Sequence, residues 1–297
     1  MFLWGIVMWV VAAHTLAGVP QAVCDRALSD RIPARQPSAP GGRAFAEHLA
    51  VLDDNERESA ILRQLLAGNI PQFLRELAPV SLDQPAPDRT GRIVVCVLPD
   101  YLAVGSDRDF FLVPMRLRTA LAVADRFHFL LPTRRMVDAI YAQAPIHLHP
   151  RPLPAGDTMR STAYYWHHNE LILSQRMDVP LPLGTLTAGD KKDLVLTNRL
   201  WTHLTSVAIY GWHQPDGRAI QPLSTFHGAQ YADYSHGVRL VSATAYVDET
   251  ARSLVSMLQD SRFSQYFSDE GTIRNVSSLV DTLKLRMSVR RADGLTQ

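Results

Sequence analysis

Residues 226–241 read FHGAQYADYSHGVRLV and hold the densest set of chemistry-capable side chains in the chain. His227, Asp233 and His236 have the spacing H-x5-D-x2-H. Two imidazoles and a carboxylate are the ligand set of many catalytic zinc sites. A loop gives these three no common face, however, and Gly228 and Gly237 beside the histidines point to backbone turns rather than a rigid cage. The expectation is therefore chemistry without a metal or other cofactor, with zinc the alternative. In that reading His236 is a general acid/base near neutral pH. His227, Asp233 and Tyr234 stand around it as further catalytic candidates. Tyr231 or Tyr234 supplies a second proton-transfer group or an oxyanion donor, and Arg239 holds a substrate carboxylate bidentately. The structural alternative has Tyr234 packed in the core, Asp233 capping a turn and Arg239 paired with a surface acid.

Three other stretches can converge on this loop. YYWHHN at 164–169 places Trp166, His168 and Asn169 in one patch, suited to sugar or peptide binding because rings stack and polar tips orient. The alternative is an amphipathic helix whose aromatics are core. PDYLAVGSDRDFF at 99–111 offers Asp100 and Tyr101 as substrate-binding residues, with Asp107 and Asp109 nearby. Paired carboxylates serve glycoside hydrolysis when they stand about 5 or about 6.5–9.5 Å apart, but Asp is also an ordinary turn residue. AGDKKDLVL at 188–196 sets Lys191, Lys192 and Asp193 ahead of a strand, where surface placement is expected.

The run Ser235-His236-Gly237-Val238-Arg239-Leu240, with His227-Gly228 upstream, resembles the active-site signature of L,D-transpeptidases, an HG followed by SHGC-x-R. In that family a cysteine thiolate, activated by the nearby histidine, attacks a cell-wall peptide. Here Val238 occupies the cysteine position, and the interval between the two His-Gly pairs is shorter than the family's. Cys24 and Cys96 are both distant in sequence, so covalent transpeptidation by that route is excluded. What the resemblance implies is limited to a relationship of fold.

The elements that must hold these residues are legible in outline. Apolar positions at three-to-four spacing (Ala46, Leu49, Leu52, Ile61, Leu65, Leu66) make residues 44–82 a helical N-terminal segment, broken by GNIP at 68–71. RIVVCVLP at 92–99 opens the main domain as a strand, and that domain is expected to run over 92–297. Helices follow behind Pro114, after Thr133 as cap, and over 163–176. DLVLTN and VAIYGWH read as strands, QPDG at 214–217 as a hairpin turn, and RAIQPLS as the return. VRLVSATAYV is the last clear strand, and the tail from Glu249 reads as mostly helical. The irregular interleaving predicts an α+β fold, a mixed and mainly antiparallel sheet with flanking helices.

The chain's surroundings are legible at its beginning. MFLWGIVMWVVAA has the length and apolarity of a signal peptide but lacks the about 20 residues of a membrane span, so residues 1–22 are expected to be removed on export. No stable membrane insertion follows cleavage, and the protein is expected to be secreted or periplasmic. Residues 23–43, rich in Pro, Gly and Ser, read as a flexible linker. An exported protein can join Cys24 to Cys96, yet the apolar setting IVVCVL reads more simply as a small buried core residue. Thirty Lys+Arg against 29 Asp+Glu leaves a net charge of +1, which excludes nucleic acid as the main partner. With no G-x-S-x-G elbow, phosphate loop or dinucleotide fingerprint, serine hydrolysis, nucleotide hydrolysis and hydride transfer are disfavoured. The expectation is a bacterial hydrolase or lyase acting on an extracytoplasmic polymer, peptidoglycan or another polysaccharide, with a glycan or cell-wall peptide as partner. The alternative is a non-catalytic cell-wall or glycan-binding protein.

Overall fold

The computed structural model describes residues 23–24, 31–82 and 92–289, so the expected signal peptide lies outside the described residues. In chain order, α1 (Gly42–Leu49) and α2 (Asp54–Leu66) precede the strands β1 (Ala78–Ser81) and β2 (Ile93–Val97) and the hairpin β3 (Ala103–Ser106) and β4 (Asp109–Leu112). Helix α3 (Leu117–Phe127), β5 (Phe129–Leu130), α4 (Arg134–Gln143) and β6 (Ile146–His147) lead to the long α5 (Thr162–Met177). Then come β7 (Thr187–Ala188), β8 (Lys192–Leu194), β9 (Ile209–His213), β10 (Ala219–Ser224), β11 (His236–Gly237), β12 (Val241–Val247) and β13 (Thr250–Ser253). Helices α6 (Leu254–Gln259), α7 (Ser264–Phe267) and α8 (Val276–Val289) complete the described chain. It is an α+β fold with mostly antiparallel sheets.

Local chemistry sets several of these boundaries. Asp53 accepts from the amides of Asn55 and Glu56 while Glu56 reaches back to the Asp53 amide, a capping box that starts α2. Thr133 caps α4 and Ser161 caps α5 through side-chain oxygens that take first-turn amides. The QPDG turn forms as expected: Gly217 supplies a positive φ of 81°, and the amide of Gln214 donates to the Arg218 carbonyl at 2.9 Å.

The main sheet runs β1-β2-β12-β13, with β5 also paired to β12. All five residues of β2 are buried, as its unbroken apolar run requires for a central strand. A second sheet runs β10-β9-β8-β11, in which β11 lies parallel to β8. It carries the loop between β10 and β11, and so the histidine-rich stretch, into the interior.

Three features depart from the sequence reading. The N-terminal segment ends in a strand, not a helix: β1 pairs antiparallel with β2, and Pro79 is tolerated because β1 is an edge. Residues 31–41, expected as a flexible linker, are docked. Arg35 Nε donates to Asn69 Oδ1 at 2.9 Å and to the Gly105 carbonyl at 3.0 Å, and its NH2 donates to the Ala39 carbonyl at 2.7 Å. Thr250–Ser253, expected as part of a helical tail, forms β13 antiparallel to β12, because Asp248 and Glu249 with positive φ reverse the chain into a hairpin.

Cys96 is buried as expected, but it is not a free core thiol. It is bonded to Cys24, with Cα atoms 5.5 Å apart across 72 residues of sequence, which ties the N-terminal lead-in to the central strand. Among the described residues no helix is long and apolar enough to cross a membrane. The disulfide is compatible with an extracytoplasmic location.

Candidate functional site

The parallel pairing of β11 with β8 sets His236 opposite Lys192 and Gly237 opposite Asp193. This brings the two polar runs of the sequence, 188–193 and 231–239, into direct register. A side chain at 237 would not fit: a Cβ there would stand 2.6 Å from Tyr101 Cδ1 and 2.7 Å from Lys191 Cβ. The strand continues inward, where the Val238 carbonyl accepts from Leu102 and the Leu240 carbonyl from Leu98. Val238, at the position of the transpeptidase cysteine, is wholly buried.

Around His236 the loop residues form one connected group. Asp233 Oδ1 accepts from the Ser235 amide (2.8 Å) and hydroxyl (2.6 Å), and Oδ2 accepts from the Tyr231 hydroxyl at 2.9 Å. Burial pushes this carboxyl up, but His236, the Ser235 bonds and Lys192 outweigh it and hold Asp233 down to about 2. His236 Nε2 stands 4.0 Å from Asp233 Oδ2. The imidazole is 1% exposed, and among the described residues neither ring nitrogen has a hydrogen-bond partner. Burial lowers its pKa to about 4 against the pull of Asp233, so the ring is neutral at pH 7. The Tyr231 ring packs edge-on to His236 at 5.7 Å and stacks on His227 at 4.0 Å, and Phe226 meets His227 at 5.3 Å. These rings climb from the buried His236 through the half-buried pair to Phe226, which is 88% exposed.

A second group lies beneath. Lys191 Nζ donates to the Tyr234 carbonyl at 2.6 Å and lies 3.1 Å from His168 Nδ1. Burial lowers Lys191 to about 8, opposed by Asp190 and Asp233. Burial, then Lys191, drives His168 down to about 2, which leaves its Nδ1 an acceptor for the ammonium. Asp100 is raised to about 7 by burial and by Asp190, and Asp193 to about 6 by burial, with Arg239 opposing both shifts. The Tyr101 hydroxyl donates to Asp193 Oδ2 at 2.9 Å. Arg239 sits among these acids, 4.4 Å from the Tyr101 ring centre. Its NH1 donates to the Leu98 carbonyl (2.8 Å) and its NH2 to the Thr187 carbonyl (2.6 Å).

The expected site residues thus divide into two groups and three separate positions. His227, Tyr231, Asp233 and His236 come together. Asp100, Tyr101, His168 and Arg239 join the buried charge network. Arg239 is 1% exposed and its fork is taken up by backbone carbonyls, so it reaches neither a substrate carboxylate nor a surface acid. The Tyr234 hydroxyl is committed to the Leu153 backbone, at 2.7 Å from its amide and 3.2 Å from its carbonyl. Asn169 braces β4: its Oδ1 accepts from Leu112 and its Nδ2 donates to Phe110. Trp166 lies on the outer side of α5, with Nε1 donating to Glu170.

Lys191 and Asp193, expected at the surface, are buried. Their burial is supported by the adjacent Asp190, which faces Lys191, and by Arg239, distant in sequence, which faces Asp193. Ser235 was legible only as part of the SHG run. Among the described residues no group of three His, Cys, Asp or Glu side chains has the geometry of a metal site. No protein-family model matches the chain, and neither a curated protein nor a solved structure does.

Proposed function

We propose that the protein is an exported hydrolase or lyase acting on an extracytoplasmic polymer, peptidoglycan or another glycan, with His236 as its acid/base. The observation that carries this reading is the state of His236. A buried polar group without a partner is costly and uncommon outside working sites. Here, among the described residues, both nitrogens of one imidazole are in that state, and Nε2 stands 4.0 Å from a carboxylate held ionised. The neutral ring is ready to take a proton, from an attacking water in hydrolysis or from a ring carbon in elimination. Asp233 then stabilises the imidazolium, and the Tyr231 and Ser235 hydrogen bonds keep Asp233 aimed at it. Phe226 is the exposed ring at the mouth of the site, and a substrate reaches His236 by displacing the stacked Tyr231–His227 pair that covers it. These aromatic faces suit sugar rings.

Export supplies an oxidising compartment for Cys24–Cys96. The test is incubation of the purified protein with insoluble peptidoglycan sacculi and with neutral and acidic polysaccharides. New reducing ends or free amines in the supernatant indicate hydrolysis, and new ultraviolet-absorbing unsaturated ends indicate elimination. Release from none of these polymers refutes the proposal.

A further inference from the structure

The same helix that sends His168 and Asn169 inward presents a different row to solvent. Trp166, Glu170 and Met177 of α5 face α1 and the β3–β4 turn across a groove, with the buried Thr162 at its inner end. Two adjoining cavities of about 180 and about 370 Å³ share Trp166 and Arg43. Together they fall within the about 300–1,000 Å³ of small-molecule sites. We propose that this groove is a binding subsite for a neutral oligosaccharide, with Trp166 as the stacking ring and Glu170 and Asp109 as acceptors for sugar hydroxyls.

The groove's construction favours that ligand. Trp166 is braced from the core by Phe111, edge-on at 5.6 Å, and its indole Nε1 is held by Glu170 Oε1 at 2.9 Å. Its ring is therefore fixed. Arg43 lies over it at 5.1 Å on a side chain 63% exposed, a cover that a ligand can displace. One cavity is walled by the methyl groups of Ala46, Ala50 and Ala163, the other by Asp109, Glu170 and Ser174. An apolar floor beside oriented polar groups matches the two sides of a pyranose.

Charge selects a neutral ligand. Arg43 NH2 is 3.5 Å from Glu170 Oε1, the Arg43 amide donates to Asp109 Oδ1 at 2.9 Å, and Arg108 lines the same cavity, so the two acids of the polar cavity are balanced by two guanidinium groups. An extended peptide would seek a strand edge. The adjacent β4 edge is plugged, because Asn169 occupies the Phe110 carbonyl and the Leu112 amide. A saccharide needs neither.

The groove is separate from His236, so the test does not depend on turnover. Isothermal titration calorimetry is run with chitotetraose, cellotetraose and maltotetraose, and with tetra-alanine and tetragalacturonate as controls. The wild-type protein is expected to bind at least one neutral tetrasaccharide saturably, more tightly than either control. Trp166→Ala should weaken that binding by about tenfold or more, Trp166→Phe less, and His236→Ala should leave it unchanged. Glu170→Gln, at an exposed position, keeps the fold and should weaken binding several-fold. The proposal fails if no neutral tetrasaccharide binds, if a control binds as tightly, or if Glu170→Gln or a folded Trp166→Ala binds like wild type.

Discussion

Replacing Arg239 with Met tests how the interior is held together. The guanidinium shares the interior with Lys191 as a buried cation beside Asp100, Asp190 and Asp193, and it also satisfies the carbonyls of Leu98 and Thr187. Methionine keeps much of the volume but removes the charge and both hydrogen bonds. Removing one partner of a buried charge group costs about 3–5 kcal/mol, against a total stability of about 5–15 kcal/mol. The loss should depend on pH in a defined direction. Asp100 and Asp193 titrate at about 7 and about 6 in the fold, both raised from 3.8, and Arg239 restrains both shifts. Their folded pKa values lie above the unfolded ones, so ionising them on the way up in pH costs folding free energy. Without Arg239 they rise further, and each unit of rise adds about 1.4 kcal/mol to the loss above the wild-type pKa. At pH 5 Asp100 and Asp193 are mostly protonated in both folded proteins, so their part of the loss is small, and the hydrogen-bond loss and the lost pairing of Arg239 with Asp190 remain. His168 and His236 titrate in both proteins and cancel in the difference. Urea unfolding at pH 5 and pH 8 should therefore show a clearly larger destabilisation at pH 8. An equal loss at both pH values, or a larger one at pH 5, refutes the electrostatic account of this interior.

Two further outcomes follow from the fold. Reducing Cys24–Cys96, or replacing both with serine, should lower stability by about 4 kcal/mol by releasing the closed loop of the unfolded chain, measured by denaturant unfolding with and without reductant. Gly237→Ala pushes a methyl group into Tyr101 and the Lys191 stem, and should cost about 1–3 kcal/mol by thermal melting while shifting the near-ultraviolet signal of the buried tyrosine.

The elements most legible in the sequence were those whose signals are local. Thr133 ahead of α4, the apolar run of β2 and the QPDG reversal each specify their structure within a few residues. Strand β1 was missed because APVS has neither length nor alternation and takes its form from pairing with β2. Arg35 read as part of a Pro-rich tether because its partners, Asn69 and Gly105, lie 34 and 70 residues away. In the site, His227, Tyr231, Asp233 and His236 were found because one loop holds all four. Lys191 and Asp193 were not, since a DKKD run has the composition of a solvated turn. Only the parallel pairing of β8 with β11, joining segments more than forty residues apart, places them inside. Arg239 shows the converse: its residue type fits anion binding, and its burial reserves it for the interior.

The role of His236 is measured by the rate at which wild-type protein and His236→Ala degrade a wall polymer, with binding to the same polymer measured alongside. The variant is expected to lose about 10²–10⁴-fold in turnover and to keep its binding. The wild-type rate should also fall as pH is lowered through about 4, where His236 takes up a proton and can no longer act as base. Polymer binding without turnover by the wild type, or turnover in His236→Ala equal to wild type, would contradict that role.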